Sequence, residues 1–183
     1  MNYESDISSQ PFATHRIQPL RESPRRDAGR IGRRLNLGPI AFLTAHEWDA
    51  KLPDSPDGKK KKIHALFTWS QNRQAIRISN QFVIDGKPRP YFDGLYVWDP
   101  QQNTIVFWYV DAEGGLTKGT VKIEGGKLVH EFEEIGADGK SSAYVAKVTP
   151  QGEASWDNEI FARRGNDLTP MVKVRYEIAA SGR

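Results

Sequence analysis

Four histidines are the side chains of this chain best suited to proton transfer or metal ligation, and His130 is the one whose neighbours give it a direction. It alternates with Leu128 and Phe132, while Val129, Glu131 and Glu133 fall on the other face of the same extended run. Successive side chains of a strand point to opposite sides, so if Leu128 points into a core, His130 does too. An imidazole on an apolar face is more often a hydrogen-bonded core residue than a catalyst; a tyrosine such as Tyr96 is the alternative candidate for an acid or base. His15, His46 and His64 complete the set, and no two of the four stand at an i, i+2 or i, i+4 spacing, so no zinc site is expected. Nothing beside His130 or His64 supports haem ligation, and no cofactor or metal is expected.

Other chemistries are excluded more simply. With no cysteine there is no thiolate nucleophile, disulfide or iron–sulfur ligand. No Gly-x-Ser-x-Gly elbow, phosphate loop or dinucleotide fingerprint is present, which removes the commonest hydrolase, NTPase and NAD-enzyme readings. Glu131 and Glu133 lie next to His130 in sequence but alternate away from it, and Asp99 before Pro100 is accounted for by a turn. What remains is a set of large aromatic and amide side chains. Trp69, Trp98, Trp108 and Trp156 fall on strands, and Trp48 on the opening of the fold. Asn158 shares a face with Ala154, Trp156 and Ile160, and Asn80 with Ile76, Ile78 and Phe82, so both amides are expected on an apolar face and in need of a partner. A cavity lined by Trp69, Asn80, Tyr96, Trp108, His130, Trp156 and Asn158 would be mainly apolar with a few polar anchors, the usual make-up of a small-molecule pocket.

The elements that must position these residues are strands. From residue 85 onward, turn-forming clusters recur every ~11–15 residues, the length of one strand and its hairpin; examples are Asp85-Gly86, Glu113-Gly114-Gly115, Glu124-Gly125-Gly126 and Gly165-Asn166-Asp167. They predict strands near 63–70, 75–84, 91–98, 104–110, 116–123, 127–135, 141–148, 153–161 and 170–178. In the last, Val172, Val174, Tyr176 and Ile178 alternate with Lys173, Arg175 and Glu177, a period of two. Residues 43–51 read as either a short helix or an opening strand. Segment 104–110 is apolar on both faces, so it is expected to be covered from outside, with the N-terminal stretch as the candidate cover. The prediction is an all-β fold, an antiparallel up-and-down meander of about 8–10 strands; closure into a barrel would remove its two exposed edges.

The order of motifs supports this. Phe67-Thr68-Trp69-Ser70, Phe92-Asp93-Gly94-Leu95-Tyr96-Val97-Trp98-Asp99-Pro100, the apolar strand Thr104 to Trp108, and Glu113-Gly114-Gly115 together resemble small bacterial lipocalin-like (calycin-like) β-barrel domains of unassigned function. The resemblance covers roughly residues 42–178. It implies a barrel with a central cavity and brings no activity to carry over. Such barrels commonly open with a Gly-x-Trp element that plugs one end; here the stretch is Thr44-Ala45-His46-Glu47-Trp48-Asp49, with the tryptophan and without the glycine.

Seven arginines against four carboxylates in residues 1–34 carry the whole net charge of +3. This basic segment, taken as residues 1–40 ahead of a barrel domain at 41–180, reads as a solvated, irregular tail. Alternatively it is a lid, with Ile31, Leu35, Leu37, Pro39 and Ile40 docked over one end. Nucleic acid is not the expected partner. No signal sequence or membrane helix is evident, which places the chain in the cytoplasm by default. The expected function is binding of a small, mainly apolar molecule in the barrel. The alternative is an enzyme of cyclase or isomerase type using the same cavity, with His130 or Tyr96 as acid or base. Oligomeric state is left open.

Overall fold

The computed structural model describes residues 36–54 and 56–180. After a 3₁₀ helix at Gly38–Ala45 come ten strands: β1 (Glu47–Leu52), β2 (Lys61–Trp69), β3 (Ala75–Ile84), β4 (Lys87–Asp99), β5 (Thr104–Asp111), β6 (Leu116–Glu124), β7 (Lys127–Ile135), β8 (Ser141–Pro150), β9 (Ser155–Arg164) and β10 (Asp167–Ile178). Each pairs antiparallel with its neighbours in sequence, and β1 pairs with β10, so the sheet is a closed up-and-down barrel. The hairpins form because the turn residues accept left-handed backbone. Asp85 and Gly86 have φ of 48° and 75°, the two positive values that a two-residue turn matching strand twist requires. The stretch 43–51, readable as helix or strand, is divided between the two: helical through Ala45, extended from Glu47.

The two ends of the barrel differ. At the end where the odd-numbered strands begin, the 3₁₀ helix supplies Leu37, Ile40 and Leu43 to the core, and Trp48 at the start of β1 is buried with them. The Trp48 indole Nε1 donates to the Leu43 carbonyl at 2.8 Å, tying helix to strand. Ile40 and Trp48 are among the most completely buried side chains, and this end is filled. Of the apolar residues expected to dock from the N-terminal segment, Leu37 and Ile40 are therefore core residues; Ile31, Leu35 and the arginines lie outside the described residues. At the opposite end the register shifts twice. Tyr91 is an extra residue in β4 where Asn80 pairs with Phe92 and Gln81 with Pro90, and Met171 is an extra residue in β10 between Pro170 and Val172. Such bulges bend a strand and re-aim side chains.

Two strand glycines shape the interior. Gly94 pairs with Tyr109, and a Cβ there would stand 2.1 Å from the Trp108 carbonyl oxygen and 2.4 Å from Tyr109 Cδ1. Gly119 pairs with Phe107 and Phe132, and a Cβ there would stand 2.3 Å from the Glu131 carbonyl oxygen. Both occupy positions where backbone and aromatic side chains approach too closely for any other residue. The outer face carries cross-strand ion pairs, among them Lys122–Glu131 at 2.7 Å, Arg163–Glu131 at 2.8 Å, Lys173–Glu159 at 2.6 Å and Arg175–Asp157 at 2.7 Å. Each contributes little to stability singly, but together they mark which face meets water. Among the described residues no helix is long and apolar enough to cross a membrane.

Candidate functional site

Inside the barrel is a cavity of about 520 Å³, within the range of small-molecule pockets, ~300–1,000 Å³. Its floor includes Leu43 of the 3₁₀ helix, and its rim includes Leu52, Tyr91, Asp111, Glu134 and Met171. These rim residues sit at the strand ends away from the helix, so the mouth opens there, and both bulge residues belong to it.

Five of the seven side chains expected in the cavity line it: Asn80, Tyr96, His130, Trp156 and Asn158. The other two do not. Trp108 faces outward and is 42% exposed, because the apolar run 104–110 has its inner phase on Ile105, Phe107 and Tyr109. The outward members of that run are thus not all covered: Val106 is buried, whereas Trp108 and Val110 are exposed. Trp69 has the inward parity of Ala65 and Phe67 but stands at the last position of β2, by the filled end. It packs against the core with the Arg73 guanidinium 5.1 Å from its ring centroid, and it does not reach the cavity.

The structure adds four tyrosines to the lining: Tyr91, Tyr109, Tyr144 and Tyr176. Tyr109 follows Ile105 and Phe107 at a spacing of two in a run apolar on both faces; Tyr176 follows Val172 and Val174 in a run that alternates with charge, and there the period was the signal that could have found it. Tyr176 stacks on Trp156 with centroids 3.9 Å apart and planes within 3°. Phe92 and Tyr109 form a second stacked pair at 4.6 Å, and Phe132 and Tyr144 a third at 5.5 Å. Pairs of this kind, side by side on adjacent strands, make the lining largely aromatic.

Polar groups are set into this lining. The Tyr96 and Tyr109 hydroxyls are hydrogen-bonded to one another, and Tyr96 also reaches His130 Nε2 at 3.4 Å. Burial pushes the ionisation of both tyrosines well up, so both remain protonated phenols. Burial also pulls His130 down to about 4; the Leu128 carbonyl acts in the opposite sense, though His130 Nδ1 makes no hydrogen bond of adequate geometry. The imidazole is therefore neutral at physiological pH. Asn80 Oδ1, Trp156 Nε1 and Asn158 Oδ1 are buried without partners as well. Native proteins leave few such atoms unsatisfied, and four in one cavity is a concentration.

The rim carboxylates are differently placed. Asp111 accepts from the backbone N–H groups of Glu113 at 2.9 Å and Gly115 at 2.8 Å, so its first task is to shape the β5–β6 turn. Burial raises the ionisation of Tyr91, and the charges of Glu134, Asp111 and Glu113 add to the effect.

Strand pairing also frames a histidine with carboxylates, which sequence spacing did not reveal. His64 on β2 is 2.9 Å from Asp49 and 3.5 Å from Glu47, both on β1, and Lys62 is 2.6 Å from Asp49. Burial would raise the Asp49 carboxyl, but its bonds to Lys62 and His64 outweigh that and hold it below the usual range. The cluster lies on the outer surface, away from the cavity. Among the described residues no group of three or more His, Asp or Glu side chains is arranged to hold a metal ion.

No protein-family model matches this chain, and no curated protein matches it. The likeness to lipocalin-like domains is thus one of architecture: a closed, ten-stranded antiparallel barrel around a cavity.

Proposed function

We propose that this protein binds a small, mainly apolar molecule inside its barrel. The observation that carries the reading is the cavity itself: about 520 Å³ of space walled by stacked aromatic pairs, in a fold whose interior would otherwise close-pack. Among the described residues, the filled end and the bulged mouth leave that space one route of access. Buried polar atoms without protein partners are what a ligand's own polar groups would satisfy. The test is mass spectrometry of the protein purified from its own host, under native and then denaturing conditions. A reproducible mass difference supports the reading and identifies the cargo; equal masses, together with no change in tryptophan emission across a panel of aromatic ligands, overturn it.

A second reading is favoured by one specific feature, the Tyr109–Tyr96–His130 chain. A buried imidazole held neutral is a free base at pH 7, and a phenol beside it can return a proton. On this reading the cavity holds a substrate of cyclase or isomerase type. His130→Gln would then slow turnover ~10²–10⁴-fold while leaving affinity nearly intact; an unchanged rate removes it.

A further inference from the structure

The unpartnered atoms discriminate among molecules that would fit the space. Two are amide oxygens, which need a donor; one is an indole N–H, which needs an acceptor; and His130 Nδ1 serves either way according to tautomer. With the amides oriented as they are, a ligand that satisfies both oxygens and the indole N–H must both donate and accept. Asn80, Trp156 and His130 are each more than nine-tenths buried. Asn80 on β3 is flanked across the sheet by Ala65 and Phe92, and Asn158 on β9 by Val148 and Val174, so each amide is a single polar point in an apolar wall. In the closed ring β3 and β9 are four strands apart one way and six the other. The two amides therefore face the cavity from nearly opposite walls, and a ligand that meets both carries polar atoms on opposite edges.

Charge narrows the class further. Among the described residues no lysine or arginine lines the cavity, and its charged lining residues are Asp111 and Glu134, both at the rim. A carboxylate ligand would lose its hydration with no cation to replace it and would pass two carboxylates on entry. A lining this rich in aromatic side chains, Phe92, Phe107, Tyr109, Phe132, Trp156 and Tyr176 among them, suits aromatic rings better than flexible chains.

We infer that the cavity takes a neutral, flat, polycyclic molecule with a hydrogen-bond donor and an acceptor on its ring edges, such as a ring-embedded amide, and rejects hydrocarbons and fatty-acid carboxylates. The inference rests on the ligand-binding reading above.

Three fluorescent probes of one skeleton test it: acridone, with N–H and C=O on opposite edges; anthracene, with neither; and anthracene-2-carboxylate, an anion. Each is held at fixed low concentration and titrated with the full-length protein. Acridone is expected to bind at least tenfold more tightly than anthracene, with the carboxylate weakest. Asn80→Leu and Asn158→Leu are expected to shrink the preference for acridone severalfold and leave anthracene's affinity in place. Should a leucine variant fail to fold, Trp156→Phe asks the same question by removing an N–H while keeping an aromatic ring against Tyr176. Anthracene or the carboxylate binding as tightly as acridone, or a preference unchanged in the folded variants, overturns the inference while leaving the binding reading standing. If no probe binds but the purified protein carries a cargo, a neutral cargo with both donor and acceptor supports the inference, and an anionic or purely hydrocarbon cargo overturns it. If no probe binds and no cargo is found, the binding reading fails and takes the inference with it.

Discussion

Replacing His130 by glutamine removes a buried imidazole that the fold holds neutral, and the cost of holding it so can be worked out. Burial lowers its ionisation from 6.5 to about 4, so the unfolded chain takes up a proton at a pH where the folded one does not. The sign follows: with the folded value depressed, stability is fully present above the unfolded value, falls as pH drops from there toward the folded value, and is level below it. At 1.36 kcal/mol per unit, the wild-type protein should lose about 2 kcal/mol between pH 7 and 5, and about 3 kcal/mol by pH 3, through this one group. Tyr96 and Tyr109, which line the cavity with it, are pushed upward and do not titrate in that window. Carboxylates held low by hydrogen-bonded cations, such as Glu131 and Asp157, stabilise above the ordinary carboxylate range and lose that contribution at lower pH, equally in both proteins. Urea unfolding followed by tryptophan emission, in half-unit steps from pH 7 to 4, gives the difference between wild type and His130→Gln. That difference should drift in favour of the variant by about 2 kcal/mol by pH 5. A constant offset across the range would show that the imidazole is hydrated or partnered, and would refute the reasoning from burial.

Gly119→Ala places a Cβ 2.3 Å from the Glu131 carbonyl oxygen, so β6 and β7 must separate; a loss of about 1–3 kcal/mol is expected in the same unfolding assay. Trp48→Phe keeps the ring at the filled end but removes the N–H that the Leu43 carbonyl accepts. It should cost about 1–2 kcal/mol and speed amide exchange in the 3₁₀ helix, measured by hydrogen–deuterium exchange. Asp157 is held low by Arg175, with burial opposing, so its contribution is present above the ordinary carboxylate range and lost as pH falls through the folded value. Asp157→Asn should therefore be less stable at neutral pH and have a shallower acid-unfolding limb, read by thermal melts between pH 5 and 2.

Much of this architecture was legible because its causes are local. Hairpins announce themselves through residues such as Asp85-Gly86, and β7, β9 and β10 alternate cleanly enough to send His130, Asn158, Trp156 and Tyr176 inward. Phase fails where a strand is apolar on both sides: β5 offers no local means of choosing between Trp108 and Tyr109, and it is Tyr109 that lines the cavity. Parity also says nothing of depth, which is why Trp69, correctly phased, lies beyond the cavity at the filled end. Closure of β1 on β10, the two register shifts and the ring of charge around His64 depend on strands brought together from distant parts of the chain. No local pattern encodes them.

The closing seam has a consequence for how the barrel comes into being. β1 meets β10 across only three register pairs, Trp48 with Ile178 the first of them, whereas the neighbouring hairpin β9–β10 has ten. Hairpins can zip one after another as the chain is made, since each joins segments a few residues apart, but the seam must close a loop of ~130 residues in one step, with a correspondingly larger loss of entropy. Until β10 arrives the meander is an open curl with two free edges, and its future interior is in water. The vessel is sealed last, at its shortest join. That join is also where slow opening under load, heat or denaturant would begin, long before any hairpin lets go.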